Sequence, residues 1–330
     1  MLQFKTLINF DNFTTFTEDH FHNWINELTP LDEYKGYLLK RDDKFNLCGI
    51  NGGKVRQCSK LVYDNLDYIR DNCNGGILTA AGLPSPQSVI VSVVAKYFGL
   101  KCVVTVPYYP DHLKDFNRVN VSLAQKLGST IYGVGNPNIS GPEMDAKKLV
   151  QELGYFQIKF GMNGRDVMKT VSNQVENIPD DLENLVCIAG SGLSCLGVMM
   201  GIKKFNKKVK NVYAIYLSDY MNKNKKMWYD KLSDEEKYDG TLHMIKSEIP
   251  YQTKYKIDDG FKFDLTYESK AWDWMIKNIK PSLDTLFWIV GKKIYDLSVI
   301  EKVNWNKSYY EQTLDVQRVT RMKTKEHGFF

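Results

Sequence analysis

The chain has 330 residues, of which 43% are hydrophobic, and its formal net charge is +5. This length suggests two domains or one large domain of two lobes, with enough apolar residues for a buried core. No apolar run reaches the roughly 20 residues needed to cross a bilayer, and the N-terminus lacks a basic start followed by an apolar core, so we expect a cytoplasmic protein without membrane spans.

Charge and cysteine patterns argue against a nucleic-acid-binding protein and against a metal-binding protein. Lys and Arg are dispersed except for short lysine-rich runs at 203–210 and 223–226, which we interpret as solvated faces rather than as a nucleic-acid patch. The six cysteines form no CxxC pair, and no histidine lies at metal-ligand spacing from them. We therefore expect reduced thiols and no metal site.

Strand-like and helix-like segments alternate along the first two thirds of the chain. Strands are predicted at 36–40, 77–79, 101–106, 130–134, 185–189 and 212–217. Helices are predicted at 85–98, 119–127, 165–177, 195–205 and 267–279, and again beyond 298. Such alternation indicates an α/β protein with parallel sheets that helices cover on both faces.

A loop rich in glycine and serine follows the predicted strand 185–189 and opens a helix. Its residues are Gly190, Ser191, Gly192, Leu193 and Ser194. Glycines let a ligand approach the backbone, and the free N–H groups and dipole of a helix start favour an anion. The loop therefore fits a phosphate, although it lacks both the GxGxxG pattern and the lysine of a P-loop. A tight turn without a ligand remains the alternative.

The second candidate fragment is Asn51-Gly52-Gly53-Lys54-Val55-Arg56. Two glycines before a lysine loosen the backbone, which would let the amine of Lys54 reach into a cleft. An amine that forms a Schiff base must be partly neutral, so it is usually buried or close to another cation. Arg56 is a candidate for that cation. The alternative is an ordinary exposed lysine.

The third candidate is Ser85, at the predicted start of the helix 85–98, with Pro86 at the first helical position. A helix N-terminus can bind a substrate carboxylate. The alternative is that Ser85 only caps the helix, and both roles are compatible.

In this order, the fragments resemble the fold-type-II (tryptophan synthase β-like) enzymes that depend on pyridoxal 5'-phosphate (PLP). The branch most similar is that of 1-aminocyclopropane-1-carboxylate (ACC) deaminase and D-cysteine desulfhydrase. The fragments that carry the resemblance are Thr29-Pro30-Leu31, Lys40-Arg41-Asp42-Asp43, 51–56, 79–101 and 190–197, with weaker matches at 160–163 and 291–292.

The resemblance implies a role for each candidate. Lys54 would hold PLP as a Schiff base and later act as a general base, and the loop from Gly190 to Ser194 would bind the PLP phosphate. Ser85 would bind the substrate carboxylate or help move a proton. Pro86 stands where the family has an asparagine that contacts the ring hydroxyl of PLP, and Gln87 is the candidate to compensate. The family's late tyrosine-bearing segment is not evident, and Trp288 and Ile289 lie near its place.

The resemblance also implies an architecture: a two-lobed α/β fold, each lobe a parallel-type sheet flanked by helices. The large cofactor-binding domain would comprise 1–56 and 165–330, and the small domain 57–164, with PLP in the cleft between them. Relatives are often homodimers.

The implied function is that of a PLP-dependent lyase or deaminase acting on a small amino acid. One alternative is a PLP enzyme that tailors an amino-acid group on a modified DNA base in viral hypermodification, which would add nucleic acid as a partner. Another is a non-catalytic relative that binds PLP without turnover.

Overall fold

The structure is a computed structural model, and it describes residues 18–110, 112, 115–135 and 139–307. In chain order its helices are α1 (Glu18–Asn26), α2 (Gly53–Asp64), α3 (Leu66–Asn72), α4 (Gln87–Tyr97), α5 (Phe116–Lys126), α6 (Ser140–Leu153), α7 (Arg165–Ser172), α8 (Leu193–Lys204), α9 (Tyr220–Met227) and α10 (Glu268–Asn278). Its strands are β1 (Leu31–Tyr34), β2 (Tyr37–Arg41), β3 (Asn46–Leu47), β4 (Ile50–Asn51), β5 (Gly76–Ala80), β6 (Lys101–Pro107), β7 (Thr130–Val134), β8 (Phe156–Ile158), β9 (Asp181–Ala189), β10 (Lys208–Tyr216), β11 (Thr241–Lys246), β12 (Thr285–Ile289) and β13 (Trp305–Lys307).

The chain divides into two compact units. The first unit comprises Met1–Tyr63 and Gly161–Lys293, and the second comprises Asp64–Phe160 and Ile294–Phe330. The predicted large domain comprises 1–56 and 165–330, whereas the described residues from Ile294 to Lys307 group with the second unit. The pairing of β13 with β7 in the second sheet explains this difference.

The first unit contains a six-stranded sheet in the order β1-β2-β12-β9-β10-β11. Every neighbouring pair is parallel except β1 and β2, which form an antiparallel hairpin at the edge. Strands β9 and β12 lie inside the sheet, and all five residues of β12 are buried. Burial on both faces explains why the two strands read as continuous apolar runs instead of alternating patterns.

Strand β9 shows how this sheet builds a core on each face. Leu185, Cys187 and Ala189 pack into one cluster with side chains of α7 and α8. Val186 and Ile188 pack into a second cluster with Trp272 and other residues of α10. Since successive side chains of a strand point to opposite faces, one strand anchors helices on both sides. The loop that leaves β9 therefore starts from a rigid support.

The second unit contains a five-stranded parallel sheet in the order β13-β7-β6-β5-β8. Strands β5 and β6 are almost entirely buried, and helix α6 packs its apolar side on them, with Ala146 and Leu149 in the cluster around Leu78 and Val103. The α/β class and the parallel sheets flanked by helices, which the sequence predicts, are confirmed.

Two predicted elements differ from the structure. The helix predicted over 165–177 ends at Ser172 and continues as one 3₁₀ turn, Asn173–Val175. The helix predicted beyond Ser298 is wrong within the described residues: Leu297–Val299 is a single 3₁₀ turn, and β13 follows it. The remainder of that prediction lies outside the described residues. Among the helices that the structure describes, none is both long and apolar enough to cross a bilayer.

Candidate functional site

Lys54 lies at the second position of α2, immediately after the tight turn that leaves β4. Gly52 makes that turn with a φ of +105°, a backbone conformation that side chains rarely adopt. A Cβ atom on Gly52 would lie 2.6 Å from the carbonyl oxygen of Val290. The amide of Gly53 donates to the same oxygen at 2.8 Å. The two glycines therefore dock the lysine-bearing helix on the segment that follows β12.

Gly52→Ala is expected to destabilise the protein more than Gly99→Ala. Both glycines have positive φ, so each alanine carries the left-handed penalty of about 1–2 kcal/mol. Only Gly52 adds a backbone clash, because nothing lies within 4 Å of a Cβ on Gly99. Urea denaturation of the two variants measures the difference. Equal midpoints would mean that the contact between Gly52 and Val290 imposes no constraint.

The amine of Lys54 is adjusted by burial. The side chain is partly buried, and desolvation lowers its pKa to about 8. A larger fraction of this amine is therefore neutral at neutral pH than for an ordinary lysine, which suits a nucleophile. Arg56 is the candidate cation of the sequence analysis, but desolvation alone lowers this pKa, and Arg56 has other partners.

Arg56 belongs to a buried network below the site. Its guanidinium donates to Asp42 at 3.0 Å and packs over the ring of Phe45 at 4.1 Å. The same carboxylate accepts from the Thr29 hydroxyl at 3.0 Å and from the indole of Trp288 at 3.1 Å. Thr29 and Asp42 come from two fragments of the resemblance, 29–31 and 40–43. Because the Asp42 carboxylate binds other protein side chains, these fragments support the structure here.

The glycine-serine loop runs from the end of β9 into α8. Gly192 has a φ of +87° and stands at the N-cap position, and no side-chain oxygen caps the helix there. The first N–H groups of a helix have no partner within it. This helix start therefore offers donors and a positive dipole end for an anion. The predicted residues Gly190, Ser191, Gly192, Leu193 and Ser194 all lie on this one turn.

Helix α2 and the loop meet through a side chain one turn beyond Lys54. The amide of Gln57 lies 3.5 Å from the hydroxyl of Ser194, a long contact that nonetheless fixes their proximity. Helix α2, which carries Lys54, and the predicted anion-binding turn are therefore neighbours within the first unit.

Ser191 is held from two sides. The side-chain amide of Asn224, on α9, donates to its carbonyl oxygen. A Cβ atom on Gly161 would lie 3.4 Å from the Cβ of Ser191. The segment 160–163, a weak part of the resemblance, thus reaches the loop through Gly161. The contacts fix the backbone whose N–H groups would bind an anion.

Tyr267 and Glu268 are functional candidates that the sequence patterns do not reveal. A Cβ on Gly190 would lie 3.2 Å from the ring of Tyr267, so the phenol borders the loop. Its hydroxyl lies 3.0 Å from that of Tyr251, and burial raises the pKa of Tyr267 well above its usual value. The phenol therefore stays protonated and can donate. Burial likewise raises the pKa of Glu268.

Glu268 connects the start of α10 to the segment that follows β12. Its carboxyl oxygen accepts from the amides of Val290 and Gly291 at 3.2 and 3.3 Å, in the segment on which Gly52 packs. The sequence signal nearby is an aspartate, Asp264, whose carboxylate accepts from the amides of Thr266 and Tyr267 just before α10 begins. This signal marks a helix and gives no reason to select the tyrosine.

Ser85 and Gln87 belong to the second unit. Helix α4 begins at Gln87, two residues later than predicted, and the Ser85 hydroxyl accepts from the amide of Gln87 at 3.3 Å. Ser85 therefore caps the helix start. The side-chain amide of Gln87 donates to the Thr79 hydroxyl at 2.8 Å and to the Lys159 carbonyl at 3.0 Å. Both of its N–H bonds are used, so Gln87 does not offer the donor that the resemblance suggested for it.

The lysine run 203–210 is a solvated, ion-paired face. Lys203, Lys207 and Lys210 pair with Asp239, Asp180 and Glu183, respectively. These pairs offset most of the positive charge of the run. The second run lies on α9, where Lys223 and Lys226 are exposed.

The residues of the first unit fit PLP. A partly buried lysine with a lowered pKa provides the amine, and a helix start without a side-chain cap provides the phosphate donors. The ring of Tyr267 packs against Gly190 and places an aromatic side chain beside the loop. Among the residues that the structure describes, no cluster of His, Cys, Asp and Glu is arranged to hold a metal ion.

Known proteins similar to this chain are enzymes of PLP chemistry. No family model matches the chain. It is 25% identical over 241 residues to the O-seryl-dTMP PLP-dependent decarboxylase of Salmonella phage ViI, an alignment that covers 64% of this chain and 55% of that protein. The chain thus spans about half the length of this relative.

Solved structures show the same fold. An ACC deaminase homologue matches with a TM-score of 0.65 at 18% identity, covering 81% of this chain and 90% of that one. Threonine deaminase isoform 2 of Solanum lycopersicum matches with a TM-score of 0.61 at 15% identity, covering 86% and 87%. Serine racemase of Dictyostelium discoideum matches with a TM-score of 0.60 at 14% identity, covering 84% and 97%. The fold expected from the resemblance is confirmed.

Proposed function

Because the chain has the fold of the fold-type-II PLP-dependent enzymes, we propose that it binds PLP through Lys54 and the loop from Gly190 to Ser194. The observation that supports this most is the meeting, inside one compact unit, of the helix that carries Lys54 with a helix start that lacks a side-chain cap.

We further propose that the substrate is an amino-acid group attached to a thymidine nucleotide, and that the reaction is its decarboxylation. The support is the likeness to the phage O-seryl-dTMP decarboxylase. Pro86, which stands where the resemblance implies an asparagine, agrees with a substrate different from a free small amino acid.

PLP supplies an electron sink for the pair that remains when a bond to the α-carbon breaks. The amine of Lys54, whose pKa burial lowers to about 8, would hold PLP and, when it is free and neutral, would hold or deliver a proton at the substrate α-carbon. The N–H groups of the loop hold the phosphate in place. Tyr267, protonated and hydrogen-bonded to Tyr251, donates a hydrogen bond beside Gly190.

Mass spectrometry of the products tests the substrate. The PLP-loaded protein is incubated separately with O-seryl-dTMP, with an oligonucleotide that contains the same seryl group, and with free serine. We expect loss of one CO2 from a nucleotide-linked substrate and no reaction of free serine. Turnover of free serine alone would reject the nucleotide proposal.

The second candidate function is that of a lyase or deaminase acting on a small free amino acid, which the likeness to the ACC deaminase homologue and to threonine deaminase favours. Release of ammonia distinguishes it from decarboxylation, because decarboxylation keeps the nitrogen on the product. An ammonia assay on the same incubations therefore separates the two candidates.

A further inference from the structure

Lys293 ends the segment that follows β12, and two contacts fix its position. Its main-chain amide donates to the carboxylate of Asp264 at 3.0 Å. Its amine lies 4.4 Å from the centre of the Tyr267 ring. The residue is 9% exposed, so the ammonium is held against an aromatic face and largely away from water.

Within the described part of the chain, the amine of Lys293 has no hydrogen-bond partner. The nearby carboxyl groups bind main-chain amides: Asp264 accepts from three of them, and Glu268 accepts from two. A buried charged donor without an acceptor is costly and therefore rare. The arrangement indicates that a ligand completes it.

The two neighbouring lysines differ from Lys293 in this respect. Lys254 donates to the hydroxyl of Thr266 at 2.9 Å. Lys270 donates to the carbonyl oxygen of Pro250 at 2.6 Å. Their amines have protein acceptors, and only the amine of Lys293 lacks one among these three described lysines.

The position of Lys293 relates it to the proposed site. The Tyr267 ring, on which its amine lies, is the ring that borders Gly190 at the start of the anion-binding loop. The loop and the Lys293 amine are therefore both neighbours of one aromatic side chain. The Tyr267 ring thus connects the Lys293 amine to the start of the anion-binding loop.

We propose that Lys293, with the Tyr267 ring beside it, forms an oxyanion-binding subsite next to the loop from Gly190 to Ser194. This subsite takes the anionic group of the substrate, a carboxylate or a phosphate, while the loop holds the phosphate of PLP. The inference rests on the proposed function, because it assigns the loop to the cofactor and leaves the second anion to the substrate.

Proton uptake provides a signature of this subsite. The pKa of Lys293 is lowered to about 7, and burial is the main cause. The charges of Lys254 and Lys270 also lower this pKa, whereas Asp264 and Glu268 oppose the shift. A substantial fraction of the amine is therefore neutral at pH 7. A bound oxyanion favours the charged form and raises that pKa, so binding takes up a proton. Affinity for the oxyanion falls as pH rises through 7.

The experiment is calorimetric titration of the PLP-loaded protein with sodium sulfate and, in a second arm, with sodium acetate. Sulfate stands in for a phosphate and does not titrate near neutral pH, and acetate stands in for a carboxylate. The proteins are the wild type, Lys293→Met, and the control Lys262→Met at an exposed position. Titrations in buffers of different ionisation enthalpy give the number of protons taken up.

We expect saturable binding and proton uptake in at least one arm for the wild type and the control. In Lys293→Met the affinity should fall about tenfold or more, as for loss of a charge-assisted hydrogen bond, and the proton uptake should vanish. The arm that binds identifies the substrate group as phosphate-like or carboxylate-like.

Three results would overturn the inference: no saturable binding of either anion to the wild type, Lys293→Met binding as tightly as the wild type, or binding to the wild type without proton uptake. The wild-type proton uptake tests the inference even if the variant fails to fold, because uptake of no proton between pH 6 and 8 contradicts the role of the amine. The visible band of bound PLP, recorded first, separates the two proposals: its absence is a failure of the cofactor proposal, whereas a protein with the band that ignores both anions fails only this inference.

Discussion

Lys54→Ala is expected to abolish the visible absorption band that wild-type protein shows after incubation with PLP, and to reduce turnover by several orders of magnitude. The variant lacks the only amine that we place at the start of α2, the helix that contacts the loop, so PLP can bind there through its phosphate alone. Absorption spectra after gel filtration measure the loss. Lys44→Ala, at an exposed position on the approach to the same helix, is the control and should keep the band.

The pH dependence of PLP attachment follows from the same amine. Since burial lowers the pKa of Lys54 to about 8, its neutral, reactive fraction rises as pH rises through 8. The rate at which cofactor-free protein gains the band should therefore increase from pH 6 to pH 8 and level off above it.

For the Lys54→Ala variant, a band as intense as that of the wild type would mean that another lysine holds the cofactor.

Asp42→Ala is expected to cost about 3–5 kcal/mol of the free energy of unfolding, because it leaves the buried guanidinium of Arg56 without its counter-charge. The change also removes the acceptor for the hydroxyl of Thr29 and the indole of Trp288. These groups come from four separate stretches of the first unit, so their loss loosens the support below Lys54. Chemical denaturation followed by tryptophan fluorescence measures the effect.

Asp180→Ala is the matched control for this effect. Asp180 also pairs with a basic side chain, Lys207, but its carboxylate is exposed, and exposed ion pairs contribute little to stability. We expect no resolvable change in its denaturation midpoint. If the two aspartate variants unfold at the same denaturant concentration, the network around Asp42 is not a support of the fold.

The sequence was sufficient for the elements with strong local signals. Strand β7 was predicted at its observed bounds, and the loop after β9 was recognised because glycines, serines and a following helix occur together. The strands β11 and β12, which come after residue 220, were not predicted. Their short apolar runs lie among lysine-rich and aromatic segments, and their place in the sheet depends on strand partners from other parts of the chain.

The candidate site shows the same division between local and distant information. Lys54 and the loop were found because each has a glycine-rich pattern beside it. Tyr267 and Lys293 were not, because their environment arises from packing between α10, the segment after β12 and the loop. Nothing in the residues next to a lysine tells whether its amine will be exposed or buried without an acceptor.

Because the start of α8 can bind a phosphate-bearing ligand, the supply of cofactor also affects the stability of the folded protein. Amide groups that no side chain caps are satisfied by solvent or by a bound anion, so a phosphate-bearing ligand binds the native chain and not the unfolded one. By mass action, a ligand present at one hundred times its dissociation constant adds about 2.7 kcal/mol to the free energy of unfolding. In cells that lack the vitamin precursor of PLP, the protein without cofactor would be less stable and would be degraded faster. The amount of this protein would then fall as well as its activity.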